Sequence, residues 1–186
     1  MPPRAKLLKK KTPLPRLKTE PLLRKNLKAT LRKKLEGARK VAVLVVGSEL
    51  RGDDAAGILV AKELKKLRWT GRNRPRIFLG ETAPENFTGP IRKYRPSHLI
   101  VVDSADFHAK AGQISELDFP DAVCGATFCT HSLPLTVMLR YLLADMPFAV
   151  VVLGIQPGSM VFNAPPSPPV ERAARLLASI IHEILA

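Results

Sequence analysis

Val41-Ala42-Val43-Leu44-Val45-Val46, followed at once by Gly47-Ser48-Glu49-Leu50-Arg51-Gly52-Asp53-Asp54-Ala55-Ala56-Gly57, is the stretch that decides the fold. A short, wholly apolar run rich in valine is the pattern of a strand buried on both faces. The Gly-Asp-Asp turn then opens a segment, about Ala55 to Leu67, whose apolar residues recur with a helical period. The alternation continues downstream. Arg76–Leu79 reads as a short strand, Glu85–Arg95 as a helix begun through Pro84, and His98–Val102 as another strand. A hairpin-like stretch around Ile114–Phe119 precedes a helix over Thr136–Leu143, a strand over Phe148–Leu153 and a closing helix over Pro169–Leu185. Strands that alternate with helices and are buried on both sides predict an α/β fold, a mostly parallel twisted sheet covered on both faces. In such sheets ligands bind beyond the carboxyl ends of the strands.

Upstream of Val41 the chemistry changes. Residues 1–40 hold 15 Lys and Arg against Glu20 and Glu36, a balance of +13, whereas residues 41–186 hold 15 against 14 Asp and Glu, a balance of +1. The alkaline pI of the whole chain thus belongs to a basic N-terminal extension, and nucleic acid is a poor expectation for the domain at 41–186. Residues 1–21, rich in proline and lysine, are expected to be disordered, and residues 22–38 to form an amphipathic helix. Its stripe of Leu23, Leu27, Leu31 and Leu35 could dock on its own domain or a dimer mate, on a protein partner or acidic surface, or carry the cations to nucleic acid. The stretch has no aromatic residues for base stacking. The longest apolar runs are six residues, against about 20 for a spanning helix, so no membrane span is expected. Cys124 and Cys129 are too few to staple a domain, no apolar stretch follows the basic start as in a secretory signal, and a reduced, cytoplasmic location is the expectation.

Reading what lies at each strand end gives the candidate chemistry. Asp53 and Asp54 follow the first strand, Asp103 and Ser104 follow His98–Val102, and His131 precedes the Thr136 helix. Each has a plain alternative. An Asp pair at a helix start is usually a cap and a dipole-favoured charge, an Asp after a strand often caps a loop, and a His before a helix can simply pack. Together, one imidazole and two carboxylates form a mixed nitrogen and oxygen set suited to a borderline divalent ion. A Cys129–His131 nucleophile pair is disfavoured, since residues two apart are seldom placed for proton transfer. The chain has no His-Glu-x-x-His helix, no phosphate loop ending in Gly-Lys-Ser/Thr and no Gly-x-Ser-x-Gly elbow.

The stretch Gly47–Gly57 resembles the Gly-Asn-x-Leu-x-Gly-Asp-Asp-Gly-x-Gly turn of hydrogenase maturation endopeptidases. Val101-Val102-Asp103-Ser104 resembles their second acidic strand end, and Thr130-His131-Ser132-Leu133-Pro134-Leu135 their histidine segment. Ala83-Pro84-Glu85-Asn86, Val102–Asp106 and Leu153-Gly154-Ile155-Gln156-Pro157 are similar to the branch serving membrane-bound, formate-hydrogenlyase-type hydrogenases. Ser48 and Ala55 depart from the usual Asn and Gly. The resemblance, over residues 41–186, implies a three-layer α/β/α peptidase domain that removes a C-terminal extension from the large-subunit precursor of a NiFe hydrogenase after nickel insertion. It assigns the metal-contacting acid to Asp54, the second carboxylate to Asp103 and the histidine to His131, and makes Asp53 the helix-start residue. Nickel would arrive with the precursor rather than reside in the enzyme, and nickel-insertion accessory proteins are further candidate partners. A non-catalytic nickel-binding scaffold in hydrogenase assembly is the alternative from another class.

Overall fold

All six residues of the Val41–Val46 run are buried, as a strand flanked by two layers requires. The computed structural model describes residues 20–71, 73–117, 128–129 and 132–186. Expectations that fall on residues 1–19, on Asp118–Phe119 and on His131 lie outside these described residues. Along the chain come α1 (Glu20–Lys34), β1 (Val41–Val46), a 3-10 turn (Gly52–Ala55), α2 (Ala56–Lys66) and β2 (Arg76–Glu81). A second 3-10 turn (Pro84–Phe87), α3 (Thr88–Tyr94), β3 (His98–Asp106), β4 (Ile114–Leu117) and β5 (Phe128–Cys129) follow. Then come α4 (Ser132–Asp145), β6 (Ala149–Ile155) and α5 (Pro168–Leu185).

The sheet runs β2-β1-β3-β6-β4. β2, β1, β3 and β6 are mutually parallel, while β4 lies antiparallel on the β6 edge. β5 pairs antiparallel with the far end of β3, Cys129 opposite Ala105. Alternate strand residues serve the two covering layers. Val41, Val43 and Val45 pack with Ile100, Val102 and the buried faces of α2 and α5. Ala42, Leu44 and Val46 pack with Leu99, Val101, Ile91 of α3 and Met138, Leu139 and Leu142 of α4. The fold is the three-layer α/β/α expected.

The leucine stripe of the basic extension docks on its own domain. Leu27, Leu31 and Leu35 belong to the core under α2 and α5, and Leu31 is fully buried. Arg24 and Lys28 meet Glu183 of α5, which ties the cationic face down as well.

Several boundaries differ from the sequence reading: α1 begins at Glu20, inside the stretch expected to be disordered, and ends at Lys34, α4 begins at Ser132 rather than Thr136, and β2 and β6 run on to Glu81 and Ile155. Three further differences have a stated cause. β3 runs on to Asp106, because β6 still pairs with Asp103 and Ser104 and β5 takes Ala105 and Asp106. Asp103 and Ser104 therefore lie inside a strand, not after one. The Glu85–Arg95 segment divides into the 3-10 turn and α3. Pro90 has no N–H for an i−4 bond, so an α-helix can begin only just ahead of it. The hairpin-like stretch is a strand, β4, whose antiparallel partner is the distant β6.

Candidate active site

β1 and β3 are neighbours only as far as the pair Val45 and Val102. Beyond that point the chain from β1 leaves through α2 toward β2 at one side, whereas β3 continues beside β6 at the other. The gap between their carboxyl ends is the switch point at which open α/β sheets form their crevice. Two glycines shape it. Gly47 has φ +125°, and a Cβ there would lie 1.9 Å from the carbonyl oxygen of Asp54. A Cβ on Gly57 would come within 2.4 Å of the Val46 oxygen and 2.6 Å of the Val102 oxygen. Only a bare backbone lets α2 sit on both strand ends and the turn fold under it.

Asp54 and Asp103 meet here through Ser104. The Ser104 hydroxyl donates to Asp54 Oδ1 at 2.8 Å, and the Ser104 amide donates to Asp103 Oδ1 at 2.7 Å. All three residues are buried, with exposures of 1%, 0% and 0% for Asp54, Asp103 and Ser104. Removing ionised carboxylates from water costs several kcal/mol each, roughly, unless charge and hydrogen bonds compensate. Two of them linked through one residue at the switch point are chemically suited to holding a cation or handling a proton. Among the described residues no three His, Cys, Asp or Glu side chains form a metal-holding group. His131, the third candidate, lies outside the described residues; Ser132, directly after it, begins α4.

Asp53 differs from expectation. It makes no side-chain cap on the 3-10 turn or on α2. Its carboxylate instead accepts hydrogen bonds from Gly158 N (2.7 Å), Ser159 N (3.0 Å), Ser167 N (2.5 Å) and Ser167 Oγ (2.9 Å). Ser167 is the N-cap residue of α5, so the helix start that Asp53 secures is that of α5 rather than its own. Backbone bonds reinforce the tie: Asp53 N to Ser159 O, Gly52 N to Ala164 O, and Asn163 N to Leu50 O. The two loops so joined present Leu50, Val161 and Phe162, which are 58%, 61% and 71% exposed, as an apolar lip beside the Asp53–Asp54 turn.

The departures at Ser48 and Ala55 are accommodated. Ser48 Oγ accepts from Leu50 N at 3.3 Å, and Ala55 has φ −69° and ψ −1°, which needs no glycine. Two residues acquire roles that the sequence reading had not given them. Ser104 joins the carboxylates. Gln156 Oε1 accepts from Phe107 N and Ala109 N while its Nε2 donates to Asp106, fixing the loop that leaves β3. Gln156 stood in a recognised motif, but nothing in its spacing from Asp106 signals the contact.

Residues 58–184 match the family model HycI, hydrogenase maturation protease, over a span that takes in Asp103 and His131. The Hydrogenase 3 maturation protease of Escherichia coli K12 is 34% identical over 134 residues, 70% of this chain and 81% of that protein. The crystal structure of HycI from Thermococcus kodakarensis, a NiFe hydrogenase maturation protease, superposes with a TM-score of 0.76 at 31% identity, covering 84% of this chain and 98% of that one. The hydrogenase maturating endopeptidase HybD of E. coli shares the fold at a TM-score of 0.65 and 23% identity, over 77% of this chain and 90% of its own. With more than half its length under the family model, the chain belongs to the hydrogenase maturation protease family and is a peptide-bond hydrolase.

Proposed function

We propose that this hydrolase removes the C-terminal extension of the large-subunit precursor of a NiFe hydrogenase once nickel has been inserted, with the inserted ion as its recognition signal. The observation that carries the reading is the Asp54–Ser104–Asp103 arrangement, two buried carboxylates joined by one serine at the switch point. His131 is the third member. It follows β5 by two residues in sequence, within the Thr130–Leu135 segment that resembles the family's histidine segment. One imidazole and two carboxylates complete the coordination of nickel that arrives with the substrate. The ion then holds the scissile peptide in place and polarises its carbonyl or acidifies a water, with Asp54 or Asp103 as the general base. A precursor without nickel supplies neither anchor nor electrophile and stays uncut.

The apolar lip of Leu50, Val161 and Phe162 receives the chain flanking the scissile bond. The motifs shared with the formate-hydrogenlyase-type branch, together with the 34% identity to the Hydrogenase 3 maturation protease, favour a precursor of that class. The reading places the enzyme in the cytoplasm, where nickel-insertion accessory proteins would hand it the loaded precursor; among the described residues no helix is long and apolar enough to cross a membrane. Incubation with nickel-loaded and nickel-free precursor, followed by intact mass, is the test. A shortened large subunit only in the loaded sample is the expected result. An uncut loaded precursor that nonetheless binds would favour the scaffold alternative.

A further inference from the structure

At the opposite end of the sheet, where β1 and β2 begin, three cations line one cleft, two of them seated on the ring of Tyr94. Lys40 precedes β1, Arg76 opens β2, and Lys93 and Tyr94 close α3; with Gly89 and Pro90 they line an open cleft of about 820 Å³. Lys40 Nζ sits 4.4 Å from the Tyr94 ring centroid, and the Arg76 guanidinium lies 5.4 Å from the Tyr94 and Phe78 centroids alike. The Tyr94 hydroxyl donates to Val41 O at 3.2 Å, which anchors the ring to β1. Among the described residues no carboxylate pairs with Lys40, Arg76 or Lys93.

Like charges gathered at a surface repel, and most such cations are satisfied by a neighbouring acid. Here ring faces hold two of the three. A cation seated on a ring face is positioned without spending its N–H donors, so those donors remain available to a ligand in the cleft. Several fixed donors carrying positive charge match an acceptor with several charged oxygens, and phosphate is the chemical group that fits. The volume lies within the range of small-molecule pockets, about 300–1,000 Å³. Nucleic acid fits less well, because Tyr94 has its faces engaged by Lys40 and Arg76 and is not free to stack a base.

We propose that this cleft binds a small molecule through a diphosphate or longer phosphate chain, at a site separate from the carboxylates. The proposal is independent of the cleavage reading. Its test is titration of the full-length protein with inorganic pyrophosphate by calorimetry and by NMR, at about 0.15 M salt to screen the basic extension. Saturable one-to-one binding that shifts the signals of Arg76, Lys93 and Tyr94 is expected. Arg76→Gln should weaken it about tenfold, the loss of a charge-assisted contact. Gly89→Leu supplies a second, charge-neutral test: Gly89 lines the cleft and a Cβ there meets nothing within 4 Å, so the added side chain starts in open space. It should abolish binding while unfolding temperature and precursor cleavage stay unchanged. Absence of saturable binding, or equal affinity in both folded variants, would overturn the proposal. So would tighter binding of a single-stranded oligonucleotide that the same two substitutions weaken.

Discussion

Asp53 and Asp54 share a side chain and a turn, yet the first spends its oxygens on Gly158, Ser159 and Ser167, and the second faces Ser104 beside Asp103. Substitution should separate them. An amide at 53 turns an NH2 toward groups that are themselves donors, so Asp53→Asn should cost about 1–3 kcal/mol in denaturant unfolding while the folded fraction still cleaves. At 54 an amide oxygen can still accept from Ser104, so Asp54→Asn should unfold normally and fail to process nickel-loaded precursor. His131→Ala should match it in cleavage, since it removes the only nitrogen donor from the proposed set. Normal processing by folded Asp54 and His131 variants would end the assignment. Ser104→Ala tests a positioning residue: cleavage should fall about 10- to 100-fold, the usual effect of losing a group that orients a ligand, and Ser104→Thr, which keeps a hydroxyl, should recover part of it. Of these residues, Asp54 and Asp103 could be singled out in the sequence because strand ends in α/β sheets are where polar residues gain meaning. Ser104's part was not, because sequence spacing does not tell which neighbour a hydroxyl reaches 50 residues away.

The elements were read well where burial dictates pattern. β1 declared itself as an uninterrupted apolar run because both its faces are covered. β3 was cut short because Asp103, Ser104 and Asp106 look like loop chemistry; their side chains bond to Ser104 N, Asp54 and Gln156, and β6 and β5 supply the pairing that keeps them extended. For α1 the sequence offered three destinations, and only packing could choose among them. Leu31 is wholly buried there, so Leu31→Ala should destabilise the protein by about 2–5 kcal/mol. Removing residues 1–19 should leave the unfolding temperature nearly unchanged, whereas removal through residue 38 should expose apolar surface to a fluorescent dye. The α1–α5 tie should also weaken in acid. The Lys28 hydrogen bond, with those of Ser179 and the charge of Arg24, holds the Glu183 carboxyl below the ordinary glutamate range. A carboxyl whose folded value is depressed contributes fully above its unfolded value and ceases to contribute as pH falls through the folded one. Glu183→Gln should therefore lower the unfolding temperature at neutral pH, and the difference from the wild type should vanish below the usual glutamate range. A gap that persisted there would show that the carboxylate charge is not its source.

At the scale of the molecule, strand–helix alternation foretold the layers but not the order of the sheet, β2-β1-β3-β6-β4, since which strands become neighbours is a tertiary fact. That order places β6, made late, against β3, made in mid-chain. α5 completes the core under β1 and β3 with Val170, Leu177, Ile180 and Ile181, so a chain cut before residue 158 should lose its cooperative unfolding transition. The clamp at Asp53 carries this further, into the time course of synthesis. Its partners lie 105 to 114 residues downstream, and a ribosome adding about 5–20 residues per second delivers them at least several seconds after Asp53 itself. Until Gly158, Ser159 and Ser167 have been made, the Asp53 carboxylate lacks all four of these hydrogen bonds. A nascent chain is thus without the complete Asp53 clamp until Ser167 has been made, so the turn bearing Asp54 is secured only after the strands β1, β3 and β6 have all been synthesised.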